Sequence, residues 1–234
     1  MTSTTCFLAS GATIAGREHL RLHRNNEDAV RVRTSPAGTA LVVSDGCSSS
    51  PFSDVGARLG ALWIAAALER EAHAADLPRR VAAGLLDYLL VVARGLEVEG
   101  APPPIGSLLF SFLAAWVGEE RAVVFGAGDG VLWIDGARRV IDPGPENAPP
   151  YLTYALLGAP VAATVYYDGP TAALGSLLLA TDGALELEPA LIGELLADPR
   201  YAKNPSLMQR RLYQVADARL VDDTSLALLR RRLP

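Results

Sequence analysis

Apolar residues along this chain repeat with two periods. Short runs rich in Val, Leu and Ala predict strands at Thr5–Ile14, Asp28–Arg33, Thr39–Ser44, Ser107–Val117, Ala122–Ala127, Val131–Ile134, Arg138–Ile141, Val161–Tyr167, Ser176–Thr181 and Ser225–Leu229. After the third run the rhythm changes. Val55, Leu59, Leu62, Trp63 and Ala66 recur at helical spacing and predict a helix from Ser53 to about Ala72, with Ser53 as its cap and Asp54 in its first turn. A second helix is expected over about Leu77–Leu96, and Gly100-Ala-Pro-Pro-Pro-Ile-Gly106 ends it. Two short helices, near Pro189–Ala197 and Ser206–Ala216, precede the last strand. Strand hairpins around an inserted helix pair imply α+β layers rather than a βαβ alternation. Without an internal repeat or low-complexity linker, residues 1–234 are expected to form a single domain.

Half of the 234 residues are hydrophobic, enough for a sizeable core, and the net charge is −5. No basic face is offered to a phosphate backbone, so nucleic acid is not an expected partner; Arg230–Arg232 reads as a solvated end. The start of the chain carries no signal-peptide pattern, and no apolar run is long enough for a membrane span. Cys6 and Cys47 alone do not suggest a disulfide framework, so the cytoplasm is the expected compartment.

The candidate chemistry lies in the acids at strand ends. Asp28 opens a strand in Asn26-Glu27-Asp28, and Asp45 closes one in Asp45-Gly46. Asp129 sits between two strands in Gly128-Asp129-Gly130. Asp182 closes a strand in Thr181-Asp182-Gly183, and Asp222-Asp223 precedes the last one. One Asp-Gly is ordinarily a turn. Several at the mouths of buried strands place carboxylates together, where they repel unless a cation joins them. Oxygen donors with only three scattered histidines suit Mg²⁺ or Mn²⁺ rather than zinc.

In order and spacing these motifs resemble the metal-dependent Ser/Thr phosphatases of the protein phosphatase type 2C family, in its compact bacterial form. The resemblance extends over nearly the whole chain. It includes Ser53-Asp-Val-Gly-Ala-Arg58, Gly106-Ser107 as a small pair opening a core strand, and Leu152-Thr-Tyr-Ala-Leu-Leu-Gly158 at the end of a flap. It implies a four-layer α/β/β/α sandwich: two packed antiparallel sheets, flanked by helix pairs, with the metal site between the sheets at one end. Asp45 would bridge two ions, the Gly46 carbonyl completing one and Asp182 and Asp222 holding the other. Glu27 and Asp28 would hold bound waters or coordinate one ion directly. Asp129 would share a third, weaker site with Asp182. The implied reaction is hydrolysis of phosphoserine or phosphothreonine by a metal-activated water. The expected partner is a phosphorylated protein, the target of a Ser/Thr kinase, met by a monomer.

Two departures bear on this. Many family members carry a phosphate-gripping arginine four residues before the glutamate of the first motif. Here that place is His23, with Arg24 one residue later, so Arg24 reaches in, Arg21 substitutes, or phosphate binding is weakened. Where some members have a histidine after the central Asp-Gly, this chain has Cys47, whose plainer reading is a buried inert thiol. His19 and His23 read as packing or surface residues. Gly126-Ala-Gly128-Asp-Gly130 fails as a dinucleotide motif, because a strand is expected after it. The rival reading is the same fold without turnover, used as a binding or scaffold module in a signalling pathway.

Overall fold

The computed structural model describes residues 6–97 and 104–232, leaving out the side chains of residues 216–219. Thr5, the expected start of the first strand, and residues 100–103 of the expected helix break lie outside the described residues. In chain order the strands are β1 (Phe7–Ile14), β2 (Asp28–Ser35), β3 (Gly38–Gly46), β4 (Phe110–Gly118), β5 (Arg121–Ala127), β6 (Gly130–Ile134), β7 (Ala137–Ile141), β8 (Thr164–Pro170), β9 (Ser176–Ala180) and β10 (Thr224–Arg231). The helices are α1 (Arg17–Arg21), α2 (Ser53–Arg70), α3 (Leu77–Gly95), α4 (Pro189–Ala197), α5 (Pro199–Lys203) and α6 (Pro205–Arg219).

Two five-stranded sheets result, one ordered β1-β10-β9-β6-β7 and the other β2-β3-β4-β5-β8. Every neighbouring pair is antiparallel. The alternation of strand side chains divides the core into three layers. On β3, Ala40 and Val42 pack with α2 and α3, whereas Leu41 and Val43 face the other sheet. On β10, Leu226 and Leu228 pack with residues of α4, α5 and α6, and Ala227 and Leu229 point inward. The expected four-layer α/β/β/α sandwich is therefore what forms. Among the described residues no helix is long and apolar enough to cross a membrane.

Several local expectations are corrected. Ser53 does not cap α2: Phe52 holds the cap position in the left-handed region at φ 59°, and the Ser53 hydroxyl is buried inside the first turn. Gly106-Ser107 does not open a strand. Ile105–Leu108 wind into a 3₁₀ turn under α2, so β4 starts only at Phe110. The strand expected at Val161–Tyr167 pairs three residues later, and a register shift at Val124/Phe125 marks its irregular ladder. Helices α1 and α5 were not expected; both are five residues long, too short for periodicity to register.

Helix α2 seats closely on its sheet because small residues face it. The Ser44 hydroxyl donates to the Ala57 carbonyl at 2.8 Å. A Cβ at Gly60 would stand 2.2 Å from the Phe110 ring, which is itself fully buried. Gly60→Ala should therefore destabilise the fold by about 1–3 kcal/mol through overpacking, against its gain in helix propensity. Urea unfolding checks this: the midpoint should fall at constant slope, and an unchanged or higher midpoint contradicts the close seating of α2.

Candidate metal centre

The alternation that sorts the core also builds the site. Leu41, Val43 and Asp45 lie on one face of β3, so the residue after two inward-facing apolar side chains is a carboxylate at the mouth between the sheets. Asp28 of β2 and Ser111 of β4 are the direct cross-strand partners of Asp45. Across the gap, Leu177 and Leu179 point inward, and Thr181 continues their row beyond the end of β9. On β10 Ser225 stands on the inward face of Ala227 and Leu229.

Hydroxyls stitch the two rows together. Thr181 Oγ1 donates to Asp28 Oδ2 at 2.7 Å and accepts the Ser225 backbone N–H at 2.9 Å. Ser225 donates to Thr13 at 2.7 Å, and the Asn26 amide donates to the same Thr13 hydroxyl at 2.9 Å. Asp129 is placed by the β5–β6 hairpin, where Gly128 sits at φ 89° with its Cα so close to Ser111 that no Cβ fits. The Ser111 hydroxyl donates to Asp129 and accepts its backbone N–H. Gly183 is equally constrained, since a Cβ there would meet the Asp223 carbonyl at 2.0 Å.

The acids share one electrostatic neighbourhood. Burial first, and then the charges of Asp28, Asp182, Asp129 and Asp222, hold the Asp45 carboxyl well above the usual carboxylate range. Burial, reinforced by Asp223 and Asp182, likewise raises Asp28 against the hydrogen bond from Thr181. Asp182 is pushed up to about 6, by burial and then by Asp222 and Asp129, and its carboxyl lies within hydrogen-bond reach of Asp45. Burial raises Asp129 as well. Asp222 is exposed as a residue, yet the protein around its carboxyl and the charge of Asp223 still raise it. Glu27 is raised by burial, opposed by His19, Ser48 and Arg24.

These carboxylates converge without closing. Among the described residues no three Asp, Glu, His or Cys side chains already form a ligand set around one point. The donors nonetheless fit hard divalent cations: all are oxygens, and Asp28 Oδ1 and Glu27 Oε2 are buried without a hydrogen-bond partner.

The phosphate-side residues are distributed less simply. Arg24 lines a cavity of about 490 Å³ together with His23, Glu27, Ser48, Phe52 and Asp54. Arg21 is in an exposed pair with Glu18. Contrary to its plainer reading, Cys47 is not fully buried. It is half-buried, 3.1 Å from the Ser49 hydroxyl. Burial pushes that thiol up, but hydrogen bonds with Ser49, Tyr151 and Ser50 outweigh it, and the net shift is downward. Tyr151 comes from the proline-rich loop between β7 and β8, which is anchored here: Tyr151, Leu152 and Thr153 are buried, and Thr153 donates to the Leu108 carbonyl at 2.6 Å.

Asp223 and His19, the one named only beside Asp222 and the other read as a packing or surface residue, are both buried and meet in a contact that was not expected. Asp223, 3% exposed, accepts the Gly16 N–H at 2.7 Å, the Glu27 N–H at 2.6 Å and His19 Nδ1 at 2.7 Å. His19 is the buried residue of α1 and touches Asp223 and Glu27 at once. The Asp-Asp pair was the visible signal for Asp223, but nothing near His19 in the chain announces its partners.

A sequence model of the family described as Protein phosphatase 2C matches residues 15–221. Solved structures share the fold. A bacterial serine phosphatase superposes with a TM-score of 0.66 at 17% identity, covering 97% of this chain and 98% of its own. The serine/threonine phosphatase Stp1 from Staphylococcus aureus gives 0.64 at 17%, covering 96% and 95%. The catalytic domain of the serine/threonine protein phosphatase PstP, solved with two manganese ions, gives 0.61 at 20%, covering 96% and 97%. A sequence search of curated proteins found no match.

The raised carboxyls predict a pH dependence with a definite sign. A folded-state pKa above the unfolded value means that the folded chain binds the proton more tightly. The contribution is whole below about pH 4 and is lost as pH rises through the folded values, near 6 for Asp182. In EDTA, Asp182→Asn should gain stability relative to the parent between pH 4 and 7, measured by urea unfolding. A difference that stays flat across that window contradicts the raised pKa.

Proposed function

The chain belongs to the protein phosphatase 2C family, and on that premise we propose that it hydrolyses phosphoserine and phosphothreonine on proteins at a centre holding two Mn²⁺ or Mg²⁺ ions. The observation that carries this reading is the row Asp28–Asp45–Ser111 facing Thr181 and Ser225 across the mouth of the sandwich, with Asp28 Oδ1 buried and unpaired. The manganese ions of the PstP catalytic domain support the same metal class here.

In this reading Asp45, with the Gly46 carbonyl, Asp182 and Asp222, would hold the two ions. Glu27 and Asp28 would hold bound waters or serve one ion directly. Asp129 would share a third, weaker site with Asp182. Divalent ions so held lower the pKa of a water and clamp the phosphoryl oxygens. The chain's own part is placement. Strand ends are rigid mounts, and Thr181 fixes Asp28 by one oxygen while its other oxygen stays available. Two divalent ions would bring +4 into this carboxylate cluster, offsetting the repulsion that the bare carboxylates would offer a phosphate.

Arg24 and His23, in the cavity beside Glu27, take the phosphate-facing role, and the anchored loop through Tyr151–Thr153 shapes substrate access. The substrate is the product of a Ser/Thr kinase, and the chain works as a monomer of one domain.

Mn²⁺-dependent hydrolysis of p-nitrophenyl phosphate tests the proposal. The parent should turn over, and Asp45→Ala and Asp182→Ala should each lose at least about 100-fold in kcat/KM, the scale of several kcal/mol of lost charge stabilisation. A parent no faster than Asp182→Ala would replace the enzyme by a binding module.

A further inference from the structure

We infer that His19 is a positioning residue for Glu27, held in that role by Asp223. The inference rests on the reading of Glu27 as part of the metal centre. One carboxylate oxygen, Asp223 Oδ2, accepts both the Glu27 backbone N–H at 2.6 Å and His19 Nδ1 at 2.7 Å. The other oxygen takes the Gly16 N–H just before α1. Asp223 therefore fixes the main chain of Glu27 and, through the imidazole, the group that faces its side chain.

With Nδ1 committed to Asp223, Nε2 is the ring nitrogen left to face Glu27, and it stands 3.5 Å from Glu27 Oε2. That oxygen is buried without a hydrogen bond, so the ring is what confronts it. Both residues are closed off from solvent, at 6% exposure for His19 and 8% for Glu27, which leaves bulk water little part in orienting the carboxylate. The remaining neighbours of Glu27 are the Ser48 hydroxyl and the Arg24 charge, both from the cavity side. A merely structural histidine would need only its Nδ1 contact, which pins α1 to the start of β10.

The two arms of the ring can be separated. His19→Asn keeps a short N–H donor toward Asp223 and removes the Nε2 arm. Mn²⁺ binding by isothermal titration calorimetry and melting in EDTA are measured for the parent, His19→Asn, Glu27→Gln and the double variant. His19→Asn should melt with the parent in EDTA, yet bind Mn²⁺ about 10-fold more weakly, the loss typical of removing a group that orients a ligand. In the Glu27→Gln background the same change should cost less than about twofold, because the group it orients is gone.

A parent-like Kd for His19→Asn, or an equal loss in both backgrounds, overturns the inference. So does a Glu27→Gln variant that binds as the parent does, or a parent that binds no Mn²⁺. A parent that binds Mn²⁺ without hydrolysing p-nitrophenyl phosphate removes the phosphatase reading alone and leaves this result standing. If His19→Asn does not fold, His19→Gln, which keeps a polar group on the Glu27 side, is compared with His19→Ala. Gln retaining Mn²⁺ affinity that Ala loses supports positioning, and equal losses overturn it.

Discussion

Like charges held together against their repulsion set the terms for one end of this molecule. Asp45 feels Asp28, Asp182, Asp129 and Asp222 at once, in a setting that also desolvates it. Left to themselves such groups would move apart or take up protons. They are kept near one another because each is fixed by backbone that the core cannot release. Asp45 continues the row of Leu41 and Val43, and Thr181 continues that of Leu177 and Leu179. The hydrophobic alternation that drives the sheets together is thus the same pattern that assembles the polar mouth.

The two sheets are joined at that mouth by polar contacts of very long sequence separation. Thr181 to Asp28 spans 153 residues, and Glu27 to Asp223 spans 196. The buried Asp223 is the hub on the far side of the acidic row. It ties the segment around α1 and the start of β2 to the entry of β10, and it does so with three donors rather than a counter-ion alone. Asp222 and Asp223 are consecutive just before β10, and the first is exposed at the rim while the second is buried inside.

Much of this was legible in the sequence, for identifiable reasons. Period-two apolar runs located all ten strands to within a few residues, and Asp-Gly at their ends marked the acids that converge. What was not legible depended on contacts that the local chain does not encode. Ser53 looks like a helix cap, but the close approach of Gly46 and α2 buries its hydroxyl inside the turn. Gly106-Ser107 looks like a strand opening, but the turn is wound by packing beneath Gly56. His19 sits in a helix of five residues with no capping side chain, and its burial is created by a residue 204 positions away. The displaced arginine is a similar case. Spacing alone left Arg24, Arg21 and a weakened grip open; Arg24 lines the cavity beside Glu27, and Arg21 is paired with Glu18 at the surface.

The central claim is that Asp45, Asp182 and Asp222 draw together on shared divalent ions. A crystal structure of the chain grown with Mn²⁺, with anomalous difference density collected at the manganese edge, addresses it directly. The account predicts two strong peaks flanking the Asp45 carboxylate, about 3.5–4 Å apart, one of them shared with Asp182 and Asp222. Density that leaves the mouth of the sandwich without a manganese peak, the three carboxylates standing separately, would contradict it.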